Sequence, residues 1–183
     1  MTPLRIVVAG GGTGGHLYPG IAVARELLRR RPDAVVTFAG TARGIEARVV
    51  PREGFELDLL RSAGLKGRSG AALLRGIALL PLSALDAWGI LSRRAPHLVI
   101  GVGGYSSGPV MALAAARGIP TLLLEQNAVP GFTNRTLAYV VSGAGVAFGS
   151  TIGYFGRRGF VAGNPVRPEF FTMVDSIAAS TPP

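Results

Sequence analysis

Short apolar runs alternate with amphipathic segments along most of the chain. Seven runs have the length and composition of strands in a sheet covered on both faces: residues 4–9, 35–39, 55–60, 98–101, 121–124, 145–148 and 159–162. The segments between them predict helices at residues 20–30, 45–52, 110–117 and 133–141. This alternation favours a doubly wound α/β fold with a mainly parallel, Rossmann-like sheet of about seven strands.

The helix predicted at residues 20–30 has the clearest periodicity. Its apolar face is formed by Ile21, Ala24, Leu27 and Leu28. We expect Pro19 in its first turn, where the N–H that proline lacks would have no intrahelical acceptor. The arginines at 29–31 suit the negative, C-terminal end of its dipole.

Residues 71–91 form the most apolar stretch of the chain. Arg75, Pro81 and Asp86 interrupt it, which argues against a membrane span and for a broken helix or two short ones. We expect five of its side chains to form an apolar patch: Leu79, Leu80, Leu82, Leu85 and Trp88. Cations flank that patch at Lys66, Arg68, Arg75, Arg93 and Arg94. The patch either rests on an anionic bilayer or simply covers the sheet.

Composition narrows the class of protein. A chain of 183 residues with 48% hydrophobic residues has the size of one ordinary domain, and without cysteine it has no disulfide or thiolate metal site. The net charge of +9 is typical of proteins that meet nucleic acid, anionic membranes or phosphorylated substrates. The basic residues are spread along the chain, so we do not expect a nucleic-acid partner. Residues 1–5 lead directly into the first strand, so we expect no signal peptide.

A glycine-rich loop follows the first predicted strand. Gly10-x-Gly12-x-x-Gly15 fits the dinucleotide-binding fingerprint, and the helix after it offers unpaired N–H groups to an anion. A second loop, Gly103-Gly104-Tyr105-Ser106-Ser107-Gly108-Pro109, follows the fourth strand, and Glu125-Gln126-Asn127 follows the fifth. Because the carboxyl ends of parallel strands meet at one edge of a sheet, these three polar loops are expected to converge there.

Two kinds of nucleotide site fit poorly. A dinucleotide enzyme needs an acid at the end of the second strand to bind the ribose, but that strand ends Phe38-Ala39-Gly40-Thr41, and Asp33 precedes it. A P-loop needs Gly-Lys-Ser/Thr where this chain has Gly15-His16-Leu17.

A diphosphate held between the two glycine loops fits better. The hydroxyls of Thr13, Ser106 and Ser107 are candidates to assist the main-chain N–H groups. His16 is either a general base toward a substrate hydroxyl or a hydrogen-bonded loop residue. Asn127 either binds a sugar or closes a turn, and Arg167 either meets a phosphate or lies at the surface. No cluster of metal ligands is visible in the sequence, so no cofactor is expected.

Four motifs in this order resemble the MurG family of glycosyltransferases: Gly11-Gly12-Thr13-Gly14-Gly15-His16, Gly103-Gly104-Tyr105-x-Ser107-Gly108-Pro109, Glu125-Gln126-Asn127 and Gly163-Asn164-Pro165-Val166-Arg167. Leu65-Lys66-Gly67 lies between the first two, and the resemblance covers residues 4–170. This family transfers N-acetylglucosamine from UDP-N-acetylglucosamine to lipid I, an undecaprenyl-pyrophosphoryl-muramoyl-pentapeptide, which gives lipid II for peptidoglycan.

The resemblance implies the N-terminal, acceptor-binding half of a GT-B enzyme. It assigns the lipid pyrophosphate to the two glycine loops, comprising Gly11, Gly12, Thr13, Gly14, Gly15, Gly103, Gly104, Tyr105, Ser106 and Ser107. It makes His16 the candidate base, for inverting transfer without a metal. It implies that the residues reaching toward the UDP-sugar are Thr13, Gly14, Gly15, Asn127 and Arg167. The resemblance also implies that the apolar patch docks on the cytoplasmic face of the bacterial plasma membrane.

The chain is shorter than the family pattern. We expect an acceptor domain at residues 1–170, a tail or truncated linker at residues 171–183, and no donor-binding domain, so that this chain alone does not transfer sugar. UDP-N-acetylglucosamine would then bind only with a donor domain. The alternatives are a non-catalytic, membrane-docking acceptor subunit of a split glycosyltransferase and a nucleotide-binding Rossmann enzyme.

Overall fold

A computed structural model of the chain describes residues 2–62, 70, 74, 76 and 78–166. Its strands are β1 (Arg5–Gly10), β2 (Val35–Gly40), β3 (Glu56–Leu59), β4 (Leu98–Gly103), β5 (Thr121–Glu125), β6 (Gly143–Val146) and β7 (Gly159–Val161). Its helices are α1 (Gly14–Arg30), α2 (Glu46–Arg52), α3 (Leu80–Arg94), α4 (Ser107–Ala116) and α5 (Phe132–Leu137), with 3₁₀ helices at Gly149–Tyr154 and Gly156–Arg158.

The strands form one sheet in the order β3-β2-β1-β4-β5-β6-β7, and every neighbouring pair is parallel. The predicted doubly wound, seven-stranded sheet is therefore confirmed. The strand order reverses between β1 and β4, which makes the gap beyond their carboxyl ends the topological switch point.

Alternate residues of β1 enter two separate cores. Ile6 and Val8 pack with α1 and α2, whereas Val7 and Ala9 pack with α3, α4 and α5 on the opposite face. This alternation follows from the two-residue period of a strand, and it covers both faces of the sheet. At Gly20, α1 approaches the sheet closely, because a Cβ there would lie 3.0 Å from Val102 Cγ1 and 3.2 Å from Val8 Cγ1.

The start of α1 was predicted wrongly. The helix begins at Gly14 rather than residue 20, and Pro19 lies inside it rather than in its first turn. Gly14, Gly15 and Pro19 are poor helix formers, which is why the sequence pattern favoured a later start. The first N–H groups of a helix need no intrahelical acceptor, and burial of Leu17 and Ile21 against the sheet outweighs the low propensity.

Other boundaries differ by smaller amounts. Helix α4 begins three residues before the prediction, at Ser107, and α5 ends at Leu137 instead of continuing to residue 141. Within the apolar stretch 71–91, the described part from Leu80 onward is a single helix that continues to Arg94. None of the helices in the described part of the chain is both long and apolar enough to cross a membrane.

Candidate functional site

The candidate site lies where two glycine loops meet at the switch point. The loop after β1 leads into α1 on one face of the sheet, and the loop after β4 leads into α4 on the other. Both helices therefore begin at the same edge of the sheet. Each N-terminus carries unpaired N–H groups and the positive end of a helix dipole.

The first loop is anchored by a buried carboxylate. Gly12 donates its backbone N–H to Oε2 of Glu46 at 2.8 Å, and Thr41 donates both its N–H and its hydroxyl to Oε1 at 2.9 Å. The first intrahelical bonds of α1 run from His16 N and Leu17 N to Thr13 O. No described residue accepts a hydrogen bond from the N–H groups of Thr13, Gly14 and Gly15, so these three are available to an anion.

The second loop touches the first through the main chain. Gly11 N donates to Gly103 O at 3.4 Å, and a Cβ on residue 104 would overlap the Gly11 carbonyl oxygen. Gly103 and Gly104 have φ of +95° and +82°, a region that L side chains rarely adopt. Glycine at residue 104 is thus explained by loop–loop contact, without invoking a ligand.

The two serines of the second loop are buried. Ser107 Oγ donates to Gly104 O at 3.0 Å and so stabilises the loop, whereas Ser106 Oγ has no partner among the described residues. Tyr105 is half-buried, and its carbonyl accepts from Ser62 Oγ at 3.3 Å. Their expected role in binding pyrophosphate stays a prediction.

His16 lies in the first turn of α1, with its imidazole packed against Gly103 of the second loop. A Cβ on residue 103 would lie 2.9 Å from its Nδ1 and 3.1 Å from its Cε1. Nδ1 is 3.4 Å from Oε1 of Gln126, at the end of β5. A neutral imidazole that donates from Nδ1 keeps its lone pair on Nε2, which is the form that a general base needs.

A second buried carboxylate shapes the turn after β5. Glu125 accepts from Asn127 N at 2.9 Å, Asn127 Nδ2 at 2.8 Å, Gly131 N at 3.1 Å and Asn134 Nδ2 at 3.0 Å. Thr151, in the 3₁₀ helix Gly149–Tyr154, also stabilises this turn, because its hydroxyl donates to Ala128 O at 3.0 Å. Asn127 itself is exposed, so the network holds an accessible amide at the edge of the site.

A cavity of about 800 Å³ begins at this edge. His16, Gly103 and Glu125 are at its polar end, and its walls continue along α4 between α3 and α5. Those walls are mostly apolar and include Leu80, Ala84, Ala112, Leu113, Ala116 and Leu137. The buried Oδ1 of Asn134, which also lines the cavity, has no partner among the described residues. The arrangement suits a ligand with a polar head and an apolar continuation.

The predicted apolar patch is partly exposed. Leu85, Trp88 and Leu80 are 66%, 55% and 45% exposed, whereas Leu79 and Leu82 are half-buried. The guanidinium of Arg117 lies over the Trp88 ring at 4.7 Å from its centroid. Of the expected cations, Arg93 and Arg94 are ion-paired with Asp58. Lys66, Arg68 and Arg75, and the predicted phosphate contact Arg167, lie outside the described residues.

Sequence reasoning missed Glu46, Asn134 and Thr151. All three are buried polar residues whose partners come from other elements, and an acid in an amphipathic helix is ordinarily exposed. Among the residues that the structure describes, no three His, Asp or Glu side chains are grouped as metal ligands would be. The acid that a dinucleotide site requires after β2 is not supplied by Glu46, because its carboxylate is buried and accepts from Gly12 and Thr41.

Fold and geometry together define a Rossmann-like domain in which two glycine loops meet at the switch point. The chain belongs to glycosyltransferase family 28: the model of that family's N-terminal domain matches residues 6–146. This match, together with the relatives described next, confirms the family resemblance.

Several curated relatives share one name, and their similarity supports the same family assignment. They are "UDP-N-acetylglucosamine--N-acetylmuramyl-(pentapeptide) pyrophosphoryl-undecaprenol N-acetylglucosamine transferase" from Myxococcus xanthus and Anaeromyxobacter sp. strain K. They are 47% and 50% identical over 165 residues, which is 90% of this chain and 43% of each relative. A relative of the same name from Trichlorobacter lovleyi is 41% identical over 98% of this chain and 48% of its own length. The chain therefore spans less than half the length of these curated relatives.

Solved structures agree on the fold. Acinetobacter baumannii MurG superposes with a TM-score of 0.75 at 29% identity, over 91% of this chain and 47% of that one. A putative UDP-N-acetylglucosamine 2-epimerase from Listeria monocytogenes superposes with a TM-score of 0.65 at 12% identity, over 90% of this chain and 46% of its own. At that identity the second likeness concerns the fold alone.

Proposed function

We propose that this chain is the acceptor-binding half of an N-acetylglucosaminyltransferase that acts on lipid I to form lipid II. The observation that carries the proposal is that His16, in the first turn of α1, and the loop before α4 line one cavity whose other walls are mostly apolar. The shared name of relatives at 41–50% identity supports the same substrate class. The proposal keeps the domain division expected from the sequence, with the donor-binding domain outside residues 1–170.

In this proposal the acceptor pyrophosphate binds the N–H groups of Thr13, Gly14 and Gly15 and those at the start of α4. Helix dipoles favour the negative charge there. The polyprenyl chain leaves along the cavity and passes Leu80, which both lines the cavity and belongs to the exposed apolar patch. The patch then rests on the cytoplasmic face of the membrane, so the protein is peripheral and not embedded.

His16 is the proposed general base. Its Nε2 takes the proton of the muramoyl C4 hydroxyl as that oxygen attacks C1 of N-acetylglucosamine. The new O4–C1 bond forms as the bond from C1 to the UDP oxygen breaks, and UDP leaves from the opposite face with inversion. Gln126 holds Nδ1 and thereby directs the lone pair of Nε2 to the substrate. Asn127, and Arg167 by family resemblance, contact the UDP-sugar once a donor domain is present.

Calorimetric titration of the purified chain in detergent tests the proposal. A lipid I analogue is titrated in one series and UDP-N-acetylglucosamine in the other. We expect binding of the lipid analogue and no binding of the UDP-sugar. Tight binding of the UDP-sugar by this chain alone, or no binding of the lipid analogue, would overturn the assignment as an acceptor half.

The base role needs a separate test in an enzyme that joins this half to the donor domain of a family member. His16→Ala is expected to abolish transfer, whereas His97→Ala, which alters a histidine on the opposite edge of the sheet, is the matched control. Full transfer by the His16→Ala enzyme would rule out His16 as the base.

A further inference from the structure

Glu46 is a buried acid whose surroundings are unusual. Its side chain is 1% exposed, and none of the ion pairs among the described residues includes it. Three donors surround its carboxylate: Gly12 N, Thr41 N and Thr41 Oγ1. A buried charge without a counter-ion is expensive unless hydrogen bonds compensate it, so this geometry has to be maintained by its surroundings.

The glycines around Glu46 are fitted to its carboxylate. A Cβ on Gly11, Gly40 or Gly44 would overlap the side chain of Glu46. Gly40 ends strand β2, Gly44 precedes α2, and Gly11 belongs to the first glycine loop. Glycine at residue 11 therefore makes room for an internal carboxylate, whereas the family resemblance assigned it to the lipid pyrophosphate.

The bond from Gly12 fixes the direction of one N–H. Because this N–H is donated to Glu46, it is not available to a phosphate, and the phosphate contacts fall on Thr13, Gly14 and Gly15. The same carboxylate reaches the second loop indirectly. Thr41 Oγ1 is 3.5 Å from Tyr105 Oη, and the Tyr105 ring covers Gly12 so closely that a Cβ there would lie 3.3 Å from its Cε1.

We propose that Glu46 is a positioning residue for the phosphate site, and that its carboxylate holds the two glycine loops in one arrangement through Gly12, Thr41 and Tyr105. The inference rests on the proposed function, since the acceptor diphosphate is the ligand that this arrangement serves. Glu46 touches neither substrate nor reacting atoms, so it acts only through the loops.

Glu46→Gln is the sharpest variant because it keeps the shape of the side chain. A glutamine has one acceptor oxygen, and its amide group would face either Gly12 N or Thr41 N, donor against donor. Asp58→Asn is the matched control: Asp58 is also a buried carboxylate, 9% exposed, but its hydrogen bonds among the described residues go to Arg93 and Arg94 and not to either loop.

Two measurements on the full chain separate positioning from stability. The first is the Kd of a lipid I analogue by calorimetry, beside the Tm of each variant. We expect Glu46→Gln to weaken binding about tenfold. We expect Asp58→Asn to lower Tm while its Kd stays within about twofold of the parent. Equal weakening by both variants at equal loss of Tm would overturn the proposal.

The second measurement is hydrogen–deuterium exchange, which needs no ligand. Glu46→Gln should accelerate exchange at residues 10–15 and 103–107, whereas Asp58→Asn should not. Unchanged exchange in both loops overturns the proposal even where the parent chain binds no lipid analogue, a result that would by itself count only against the proposed function. Thr41→Val, which keeps the side-chain volume and removes one donor, gives the same comparison where Glu46→Gln does not fold.

Discussion

Glu125 accepts two hydrogen bonds from Asn127, one from the backbone N–H at 2.9 Å and one from the side-chain amide at 2.8 Å. These two bonds fix both the conformation of the turn after β5 and the orientation of the exposed Asn127 amide. With Gly131 and Asn134 as further donors, the carboxylate is satisfied without a cation.

Glu125→Gln is therefore expected to destabilise the domain. The amide group of glutamine opposes donors that the carboxylate accepts, which costs about 1–3 kcal/mol and lowers Tm by roughly 2–10 °C. Thermal unfolding followed by circular dichroism measures the change. Glu56→Gln is the control, because Glu56 is an exposed acid with a single ion pair to Arg94, and its Tm should move by no more than about 2 °C. Similar shifts for both variants would contradict the account of the turn.

Gly103→Ala tests the contact between His16 and the second loop. A methyl group at residue 103 would displace the imidazole and would also strain a backbone with φ of +95°. Gly118→Ala shares the strain, at φ +70°, but its Cβ meets no atom within 4 Å. Both variants should lose about 1–2 kcal/mol of stability. Only Gly103→Ala should reduce transfer by the joined enzyme, by about a hundredfold, so equal rates for the two variants would refute the contact.

The seven strands were predictable because each is a short apolar run closed by glycine or a polar turn. Convergence of the loops after β1, β4 and β5 followed from parallel strands alone. The start of α1 was not predictable from propensity, since Gly14, Gly15 and Pro19 all argue against a helix that tertiary packing nonetheless forms.

The role of the buried acid Glu46 could not be found from the sequence either. Glu46 and Gly12 are 34 positions apart, and their contact exists only because β1 and β2 are neighbours in the sheet. A glycine that makes room for an internal carboxylate looks the same in a sequence as a glycine that makes room for a ligand. Only the folded structure distinguishes these two uses.

The ion pair between Arg61 and Asp86 predicts a pH-dependent stability. Hydrogen bonds from Arg61 lower the pKa of the Asp86 carboxyl below its ordinary value of 3.8, despite partial burial that acts in the opposite direction. A lowered pKa in the folded state stabilises the protein above pH 3.8, and this contribution is lost as the pH falls through the lowered pKa. The pair joins the segment before Ser62 to α3, at the edge of the cavity.

Asp86→Asn should therefore lower Tm by about 2–4 °C at pH 7. The difference from the parent should shrink as the pH falls below 3.8, because the parent then loses the same charge. Thermal unfolding between pH 2.5 and 7, with points spaced about half a unit apart, resolves the trend. A difference that stays constant down to the lowest pH would contradict the ionic origin of the effect.

Trp88 provides an internal probe of membrane docking, since it is the single tryptophan of the chain and lies in the exposed apolar patch. With vesicles of phosphatidylglycerol and phosphatidylethanolamine its emission should shift to the blue, and added salt should weaken binding. Leu85→Asp should weaken binding about tenfold.

Tyr139→Asp is the control for that experiment, because Tyr139 is 81% exposed and follows α5, outside the patch. It should bind vesicles as the parent does. An unshifted Trp88 emission with anionic vesicles, or equal loss of binding in the two variants, would show that the patch does not contact the bilayer.

The central pairing of β1 with β4 also governs the order in which the chain can fold. Ile6 pairs with Leu98, so one edge of β1 finds its partner only after the chain has been synthesised as far as β4. Until then a nascent β1–β2–β3 unit presents that edge unpaired, and such edges template aggregation. Occupancy of the nascent chain by a chaperone should therefore fall steeply once β4 has left the ribosome.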